Sequence, residues 1–469
     1  MKTTVERELK LEADGPVELD RLGGRPLEGR VFTSTYFDTP DLCLLLAGVT
    51  LRRRLENGLG VWQLKLPSAD ARIELEEPGG PAPLPGSLAA VLSGLLRGRE
   101  LKPIAALKTH RSGRHLDGVD VTLDEVEVLD GESVSARFAE LEAELVDGSS
   151  EALDRIGQRL IELGARSDGG RPKLLRVVDV PTAQRAGAGS GAVGRLCEMF
   201  RNQRLELLRN DPVLRVASDL DAVHDMRVAV RRLRSILRTA RPMLRRQWVD
   251  SLRSELDWLA QWLGAVRDLD VFVTYIESES RKLGHDASRA EKLLPPLRAE
   301  RERAREQLRA ALGEPRYYRL LDAIEAAAEG PRVRRSDVPV EKLAKKEFRR
   351  FRKRAGRISA MGDHDLHKLR IHAKRARYAA ELAEPARART AARFIKSAKE
   401  VQDILGEHQD AVVAGERVRR LARAAGGQET GLAAGRLIER QELRKQRARE
   451  EAPEAVRRMK RRGKRAWLD

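Results

Sequence analysis

One basic pattern is written twice in this 469-residue chain. His224-x-x-Arg227-x-x-x-Arg231-Arg232-x-Arg234 returns as His367-x-x-Arg370-x-x-x-Lys374-Arg375-x-Arg377, at the same offsets. A second pair of landmarks follows each copy, Leu263-Gly264 with Asp268 and Leu405-Gly406 with Asp410. A period of about 140 residues means two copies of a domain-sized unit rather than a short solenoid repeat. The second copy departs modestly: Lys374 replaces an arginine, and Gln409 stands where the first copy has Arg267. Lysine keeps the charge but loses the bidentate fork.

On a helix the offsets 0, 3, 7 and 10 fall within an arc of roughly 80°. His224, Arg227, Arg231 and Arg234 therefore form one stripe, with Val230, Leu233 and Leu237 on the far side to face a core. The second stripe is His367, Arg370, Lys374 and Arg377, above Leu369, Ala373, Ala376 and Ala380. A charge run is often only a solvated face. Solvated faces, however, normally interleave both signs at i,i+4, and these stripes carry no acid, which favours a polyanion site.

The charge is unevenly spread. Residues 1–185 hold 25 Lys+Arg against 31 Asp+Glu, so a net −6 there leaves +24 for the rest of a chain whose total is +18. The C-terminal part attracts polyanions whatever its fold: nucleic acid, anionic membrane and inorganic polyphosphate all qualify. Single-strand binders use exposed aromatic residues as stacking platforms. Only 4% of this chain is Phe, Trp or Tyr, and neither stripe carries one, so no specific nucleic acid is expected as a partner.

Cys43 and Cys197 are too few and too far apart for a disulfide framework or a metal cluster. The opening MKTTVERELKLEAD lacks an apolar signal core, and Leu42 to Val49 is too short to span a bilayer. The expectation is a soluble cytoplasmic protein without a membrane span. Oligomeric state has no signature in the sequence.

A Pro/Gly/Ala/Ser-rich stretch at 181–194 reads as a linker. Residues 1–180 before it show short alternating runs. Residues 195–469 after it show long Ala/Leu/Arg/Glu-rich segments of helical period. A second break from Gly330-Pro331 to Pro339 divides the helical part into halves of about 195–330 and 338–469, each read as four helices. Arg457 to Arg465 reads as a basic tail at a frayed helix end.

The strands of the first part look inside-out. Glu6, Glu8 and Lys10 alternate with Val5, Leu9 and Leu11; Arg52 and Arg54 alternate with Leu51 and Leu55; Lys65 alternates with Leu64 and Leu66. Glu74 and Glu76 alternate with Ile73 and Leu75, and Glu140, Glu142 and Glu144 with Leu141 and Leu145. Asp124 follows Leu123. An exposed antiparallel sheet also shows charge on one face. Across six or more strands, with acids and bases together, a closed barrel with a charged lumen is the competing reading. Such a lumen suits phosphoryl transfer, in which carboxylates hold a divalent metal and cations clamp the phosphate oxygens.

Glu6-Arg7-Glu8-Leu9-Lys10 resembles the ExExK signature of the CYTH domain, the triphosphate tunnel metalloenzyme family. The likeness continues through Thr35-Tyr36-Phe37-Asp38-Thr39, Leu51-Arg52-Arg53-Arg54, Trp62-Gln63-Leu64-Lys65, Arg72-Ile73-Glu74-Leu75-Glu76, Asp124, Glu142-Ala143-Glu144 and Lys173. It implies an α+β domain built on an eight-stranded antiparallel β tunnel barrel. It further implies Mg²⁺ or Mn²⁺ held by Glu6, Glu8, Glu142 and Glu144, with Asp124, Glu74 and Glu76 assisting. The triphosphate would be bound by Lys10, Arg52, Arg54, Lys65, Lys173 and Arg111, with Arg114 close by on the opposite strand parity. The C-terminal part resembles the CHAD domain, the conserved histidine α-helical domain. That likeness implies two pseudo-symmetric four-helix bundles binding inorganic polyphosphate through His224, Arg227, Arg231, Arg232, Arg234, His367, Arg370, Lys374, Arg375 and Arg377. The competing reading of His224 and His367 is a packing role, bonded to Asp268 and Asp410.

The expected function is a metal-dependent inorganic triphosphatase joined to a polyphosphate-binding module, with association to polyphosphate granules as a corollary. The alternatives are a non-catalytic polyphosphate scaffold that targets granules, or a CYTH enzyme acting on a nucleotide or thiamine triphosphate.

Overall fold

The computed structural model describes residues 1–13, 17–68, 71–167, 173–179, 191–334, 339–383, 388–425 and 428–468. The chain forms two compact units, Met1–Ala186 with Leu205–Asp225, and Gly187–Arg204 with Met226–Asp469. Most of the expected linker, residues 181–190, lies outside the described residues.

The first unit carries one antiparallel sheet of eleven strands: β1 (Lys2–Glu6), β2 (Glu8–Ala13), β3 (Arg25–Pro26), β4 (Arg30–Asp38), β5 (Thr50–Glu56), β6 (Leu59–Pro67), β7 (Arg72–Pro78), β8 (Lys102–Leu116), β9 (Val119–Asp130), β10 (Ser133–Leu145) and β11 (Ala165–Ser167). Their order is β1-β7-β6-β5-β4-β8-β9-β10-β2-β11, with β3 against β8. Eleven strands replace the expected eight for a local reason. Arg7 divides the first predicted strand into β1 and β2, and β3 and β11 are short additions of two and three residues. The path of long strands thus starts and ends on segments one residue apart in the chain.

Turn chemistry fixes the register. Asn57-Gly58 joins β5 to β6 and Asp117-Gly118 joins β8 to β9, and all four residues have φ between 49° and 78°. Two-residue turns of this kind match the right-handed twist of the flanking strands. The apolar sides of the strands are covered from outside. Helix α4 (Ser150–Glu162) is capped by the Ser149 hydroxyl, which accepts from the Ala152 amide at 3.2 Å. Its Leu153, Ile156 and Leu160 are buried in one cluster with Leu11, Val121 and Leu141. The short helices α1 (Cys43–Leu46), α2 (Gly86–Val91) and α3 (Ser93–Leu96) hold other buried leucines. Asp38 anchors α1: its buried carboxylate accepts from the amides of Thr39, Leu44 and Leu45 at 2.7–2.9 Å. Val5 breaks the expected alternation and is exposed.

The remaining helices are α5 (Ala192–Val216), α6 (Leu220–Ala240), α7 (Arg246–Ser280), α8 (Ala287–Glu291), α9 (Leu294–Gly313), α10 (Pro315–Glu329), α11 (Val340–Arg354), α12 (Asp363–Ala383), α13 (Ala388–Ala425) and α14 (Gln428–Trp467). The second half has the expected four, with α11 against α12, α12 against α13, α13 against α14 and α14 against α11. The first half has six rather than four, because α8 is a five-residue insert and the Glu314-Pro315 step ends α9 and starts α10. The C-terminal tail is not frayed: α14 runs on to Trp467, whose ring meets Phe394 edge-on at 6.1 Å. Met459 and Ala466 are fully buried.

Close packing of α14 makes a test. A Cβ on Gly463 would collide with the fully buried Phe348 ring, which is itself held edge-on by Phe394 at 5.6 Å. Alanine's gain over glycine in a helix is about 1 kcal/mol, whereas overpacking costs about 1–3 kcal/mol. Gly463→Ala should therefore lower the melting temperature. Gly435→Ala, on an exposed face of the same helix where a Cβ meets nothing within 4 Å, should raise it slightly.

Candidate functional site

Strand parity, joined by Lys173 from the short 3-10 turn Lys173–Arg176, gathers the charged side chains on one cavity of about 410 Å³. Glu6, Glu8, Lys10, Arg52, Arg54, Lys65, Glu74, Glu76, Arg111, Glu142, Glu144 and Lys173 all line it. Lysines and acids face each other across the ladders. Lys65 is paired in register with Glu74 and Lys10 with Glu142, whereas Glu8 stands opposite another acid, Glu144. Lys65 Nζ donates to Glu6 Oε2 at 2.7 Å, and Glu8 sits between Lys10 at 3.5 Å and Arg72 at 3.4 Å. Glu142 is the hub of the cationic side, bonded by Lys10, by Lys173 at 2.9 Å and by Arg111 at 2.7 Å.

Asp124 does not line the cavity. It is fully buried behind the wall, where it accepts both arms of Arg111 at 2.6 Å and Lys173 at 2.7 Å. It touches the cavity only through those two cations. Arg114, the neighbouring alternative to Arg111, points away and bonds Asp20 and the Gly24 carbonyl. Several lining residues went unassigned in the sequence reading: Arg30, Tyr36, Gln63 and Arg72. Arg30 and Tyr36 share strand parity, but the buried Phe32 lies on it too, so alternation alone does not mark them. Tyr36 and Gln63 hold the Arg52 guanidinium at 3.2 and 2.8 Å. Glu140, of the same parity as Glu142, is fully buried beside Lys10 and Lys173 at 3.4 Å.

Electrostatics divides the carboxyls. Burial and the bond with Glu6 push Glu74 up to about 8, and burial and the charge of Glu6 push Glu144 up to about 7. Burial would raise Glu142 too, but Lys10, Lys173 and Arg111 hold it well below the ordinary carboxylate range. Glu6 is held low against burial by its bond with Glu74 and by Lys65. Crowded carboxyls that keep a proton are those a cation would ionise. Glu8 Oε1 and Glu74 Oε1 are also buried without a hydrogen-bond partner. An all-oxygen donor set fits Mg²⁺ or Mn²⁺. Among the described residues no three acids already converge on one point, so binding requires pairs such as Lys65–Glu6 to open.

In the helical unit the far sides of both stripes are core: Val230, Leu233, Leu237, Leu369, Ala373, Ala376 and Ala380 are all buried. Asp268 is bonded by Arg227 at 2.7 Å, and Asp410 faces Arg370. In both copies the aspartate thus has as partner the arginine three residues after the histidine. His224 is exposed and His367 half-buried, and Arg232 is exposed. Arg234 forms an ion pair with Asp257, and Arg377 lies 3.3 Å from Glu381. Burial and the charges of Arg370, Arg231, Arg377 and Arg227 push Lys374 down to about 7. The α6 and α12 stripes therefore sit in one field. Arg375 has its Nε buried without a partner.

A sheet with a charged interior cavity, joined to helices bearing duplicated cationic stripes, defines a protein of two modules. The CYTH domain pattern matches residues 4–170 and the CHAD domain pattern residues 198–419, and the chain belongs to the CYTH–CHAD family. It is 30% identical over 466 residues to two uncharacterized proteins of Mycobacterium tuberculosis strains, covering 91% of this chain and 89% of each relative. Among solved structures it is similar to the CHAD domain of Ricinus communis, with 25% identity, TM-score 0.46, and 58% of this chain and 93% of that one covered. A putative adenylyl cyclase from Hippeastrum, described as having a dominant triphosphatase activity, matches at 20% identity and TM-score 0.28, over 36% of this chain and 94% of that one. No described helix is long and apolar enough to cross a membrane.

The ion pairing of Asp124 is open to test. Removing one partner of a buried ion network costs on the order of 3 kcal/mol. Asp124→Asn should lower the denaturation midpoint accordingly, whereas Asp20→Asn, at the exposed Arg114 pair, should change it by less than about 0.5 kcal/mol.

Proposed function

We propose that the β unit is a metal-dependent inorganic triphosphatase, its sheet closing into a tunnel through the bent β1–β2 strand, and that the helical unit binds inorganic polyphosphate. The observation that carries this reading is the composition of the cavity: nine cations and six carboxylates line it, with Tyr36 as its one aromatic among the described residues. The surplus of cations suits a polyanion, and Tyr36 is engaged by Arg52, which leaves no platform for stacking a base or thiamine ring.

Glu6, Glu8 and Glu144 would hold Mg²⁺ or Mn²⁺, with Glu74, Glu76 and Glu142 assisting. When bound, the metal supplies charge neutralisation and a water of lowered pKa. Arg52 and Arg111 are the preorganised clamps, because Tyr36, Gln63 and Asp124 fix their guanidinium planes before a phosphate arrives. Lys10, Lys65 and Lys173 are carried by carboxylates and exchange those partners for phosphate oxygens. Arg54 lies over the Phe32 ring at 5.5 Å and extends the clamp along the chain of phosphates. Glu74 and Glu144 release the protons that crowding leaves on them. In-line attack on a terminal phosphorus then needs mainly positioning, which these contacts supply.

Two outcomes test the two halves of the proposal. Glu6→Gln with Glu8→Gln should abolish metal-dependent phosphate release from inorganic triphosphate and leave polyphosphate binding by the helical unit unchanged; retained hydrolysis removes the assignment. For the helical unit, a bound phosphate chain restores the proton of Lys374. Affinity should be flat below pH 7 and fall above it, by up to about tenfold per pH unit. Calorimetry at pH 8 in buffers of different ionisation enthalpy should show proton uptake, which Lys374→Arg eliminates because arginine stays charged.

A further inference from the structure

The two copies of the basic pattern do not end alike. At offset 14 from its histidine the first copy has Arg238 and the second has Glu381. Offset 14 falls back within the stripe's arc, one turn beyond Arg234 and Arg377. Glu381 closes the second stripe, since Arg377 lies 3.3 Å from it. Arg238 instead continues the first stripe toward the end of α6.

That end opens into a cavity of about 450 Å³, distinct from the one in the sheet. Arg238, Arg241, Arg246, Lys346, Arg350 and Arg375 line it, contributed by α6, the α6–α7 connection, α7, α11 and α12. One acid, Glu347, lines it as well and is bonded by Arg350 at 2.5 Å. Arg241 is engaged by Asp250 at 2.7 Å. Arg238, Arg246, Lys346 and Arg375 have no carboxylate within bonding distance among the described residues. The Arg375 Nε is buried with no hydrogen-bond partner. Burial and the charges of Arg375, Arg253 and Arg234 outweigh the attraction of Asp257 and lower the pKa of Arg238. Arg375 itself, at offset 8, points about 80° off the stripe's edge. A residue that looks misplaced in the duplicated pattern is thereby accounted for.

We infer that this cavity is a second phosphate-chain site, into which a polyphosphate leaving the stripes is led by Arg238, from the α6 end only. Along α6 the step from Arg231 to Arg238 is about 10 Å, so one long chain can occupy both places while a short one cannot. Joining two weak sites by one ligand raises affinity without new contacts at either. The inference rests on the polyphosphate reading of the helical unit.

The test uses the full-length chain in EDTA, with tripolyphosphate and long-chain polyphosphate as probes and affinity read across a salt series. Arg238→Gln/Arg246→Gln/Lys346→Gln/Arg350→Gln should weaken long-chain binding on the order of 30-fold. It should reduce the salt slope by about 3, some 0.7 per cation removed, and leave tripolyphosphate binding unchanged. Its melting temperature should be unchanged or higher, because repulsion is relieved. Arg231→Gln/Arg370→Gln should weaken long-chain binding through the stripes. Long-chain affinity untouched in the quadruple variant overturns the second site. So does loss of duplex DNA affinity with polyphosphate affinity retained, which would make the cavity a nucleic-acid contact. Absence of long-chain binding in the unsubstituted chain sinks the polyphosphate reading itself, a separate result.

Discussion

The β unit depends on mutual neutralisation inside its sheet. Burying isolated charges costs several kcal/mol each, so strands that turn Glu and Lys inward fold by pairing most charges with an opposite and leaving crowded acids such as Glu74 and Glu144 protonated. The ladders arrange this by register: Lys65 opposite Glu74, Lys10 opposite Glu142, and Arg111 opposite Asp124. The apolar sides of the same strands face outward, where α4 and the short helices cover them. An inverted barrel pattern is therefore one decision made twice, charge in and leucine out, by the strict alternation of the pleat.

The same neutralisation bears on how the cavity takes a ligand. Glu6 and Glu142 are occupied by lysines, and those lysines by the acids. A polyanion arriving alone would strip the lysines and leave carboxylates buried unpaired. A cation arriving alone would do the reverse. The favourable exchange is for both to arrive together, each taking one member of every internal pair, so that no buried charge is left without a partner. Arg111 and Arg52 differ from the lysines here, because Asp124, Gln63 and Tyr36 hold them from behind.

Much of this was legible in the sequence because it rests on period. Alternation placed ten charged residues on one cavity, the CYTH resemblance added Arg111 and Lys173, and helical offsets placed two cationic stripes over buried cores. What escaped has physical reasons. Asp124 has the right parity, but it is spent on Arg111 and Lys173, and pattern cannot tell a wall residue from one behind it. Arg30 precedes its strand's recognisable segment. The break at Arg7 and the Glu314-Pro315 step alter strand and helix counts without altering period. The basic tail reads as frayed by charge, yet Met459 and Trp467 pin it through burial that charge does not reveal.

The helical unit solves the opposite problem. Its cations are on helix faces rather than in a ladder, so no register supplies each with an acid. Arg227, Arg234 and Arg377 find single partners, while Lys374 is left among four arginines and loses charge. Such a surface stores repulsion in the free protein, which loss of the Lys374 proton relieves in part and an external anion would relieve further. Duplication would have produced two equal stripes, and among the differences between the copies Arg238 against Glu381 has closed one and left the other running on. A single exchange of sign on a helix face is enough to give a symmetric cationic surface a direction.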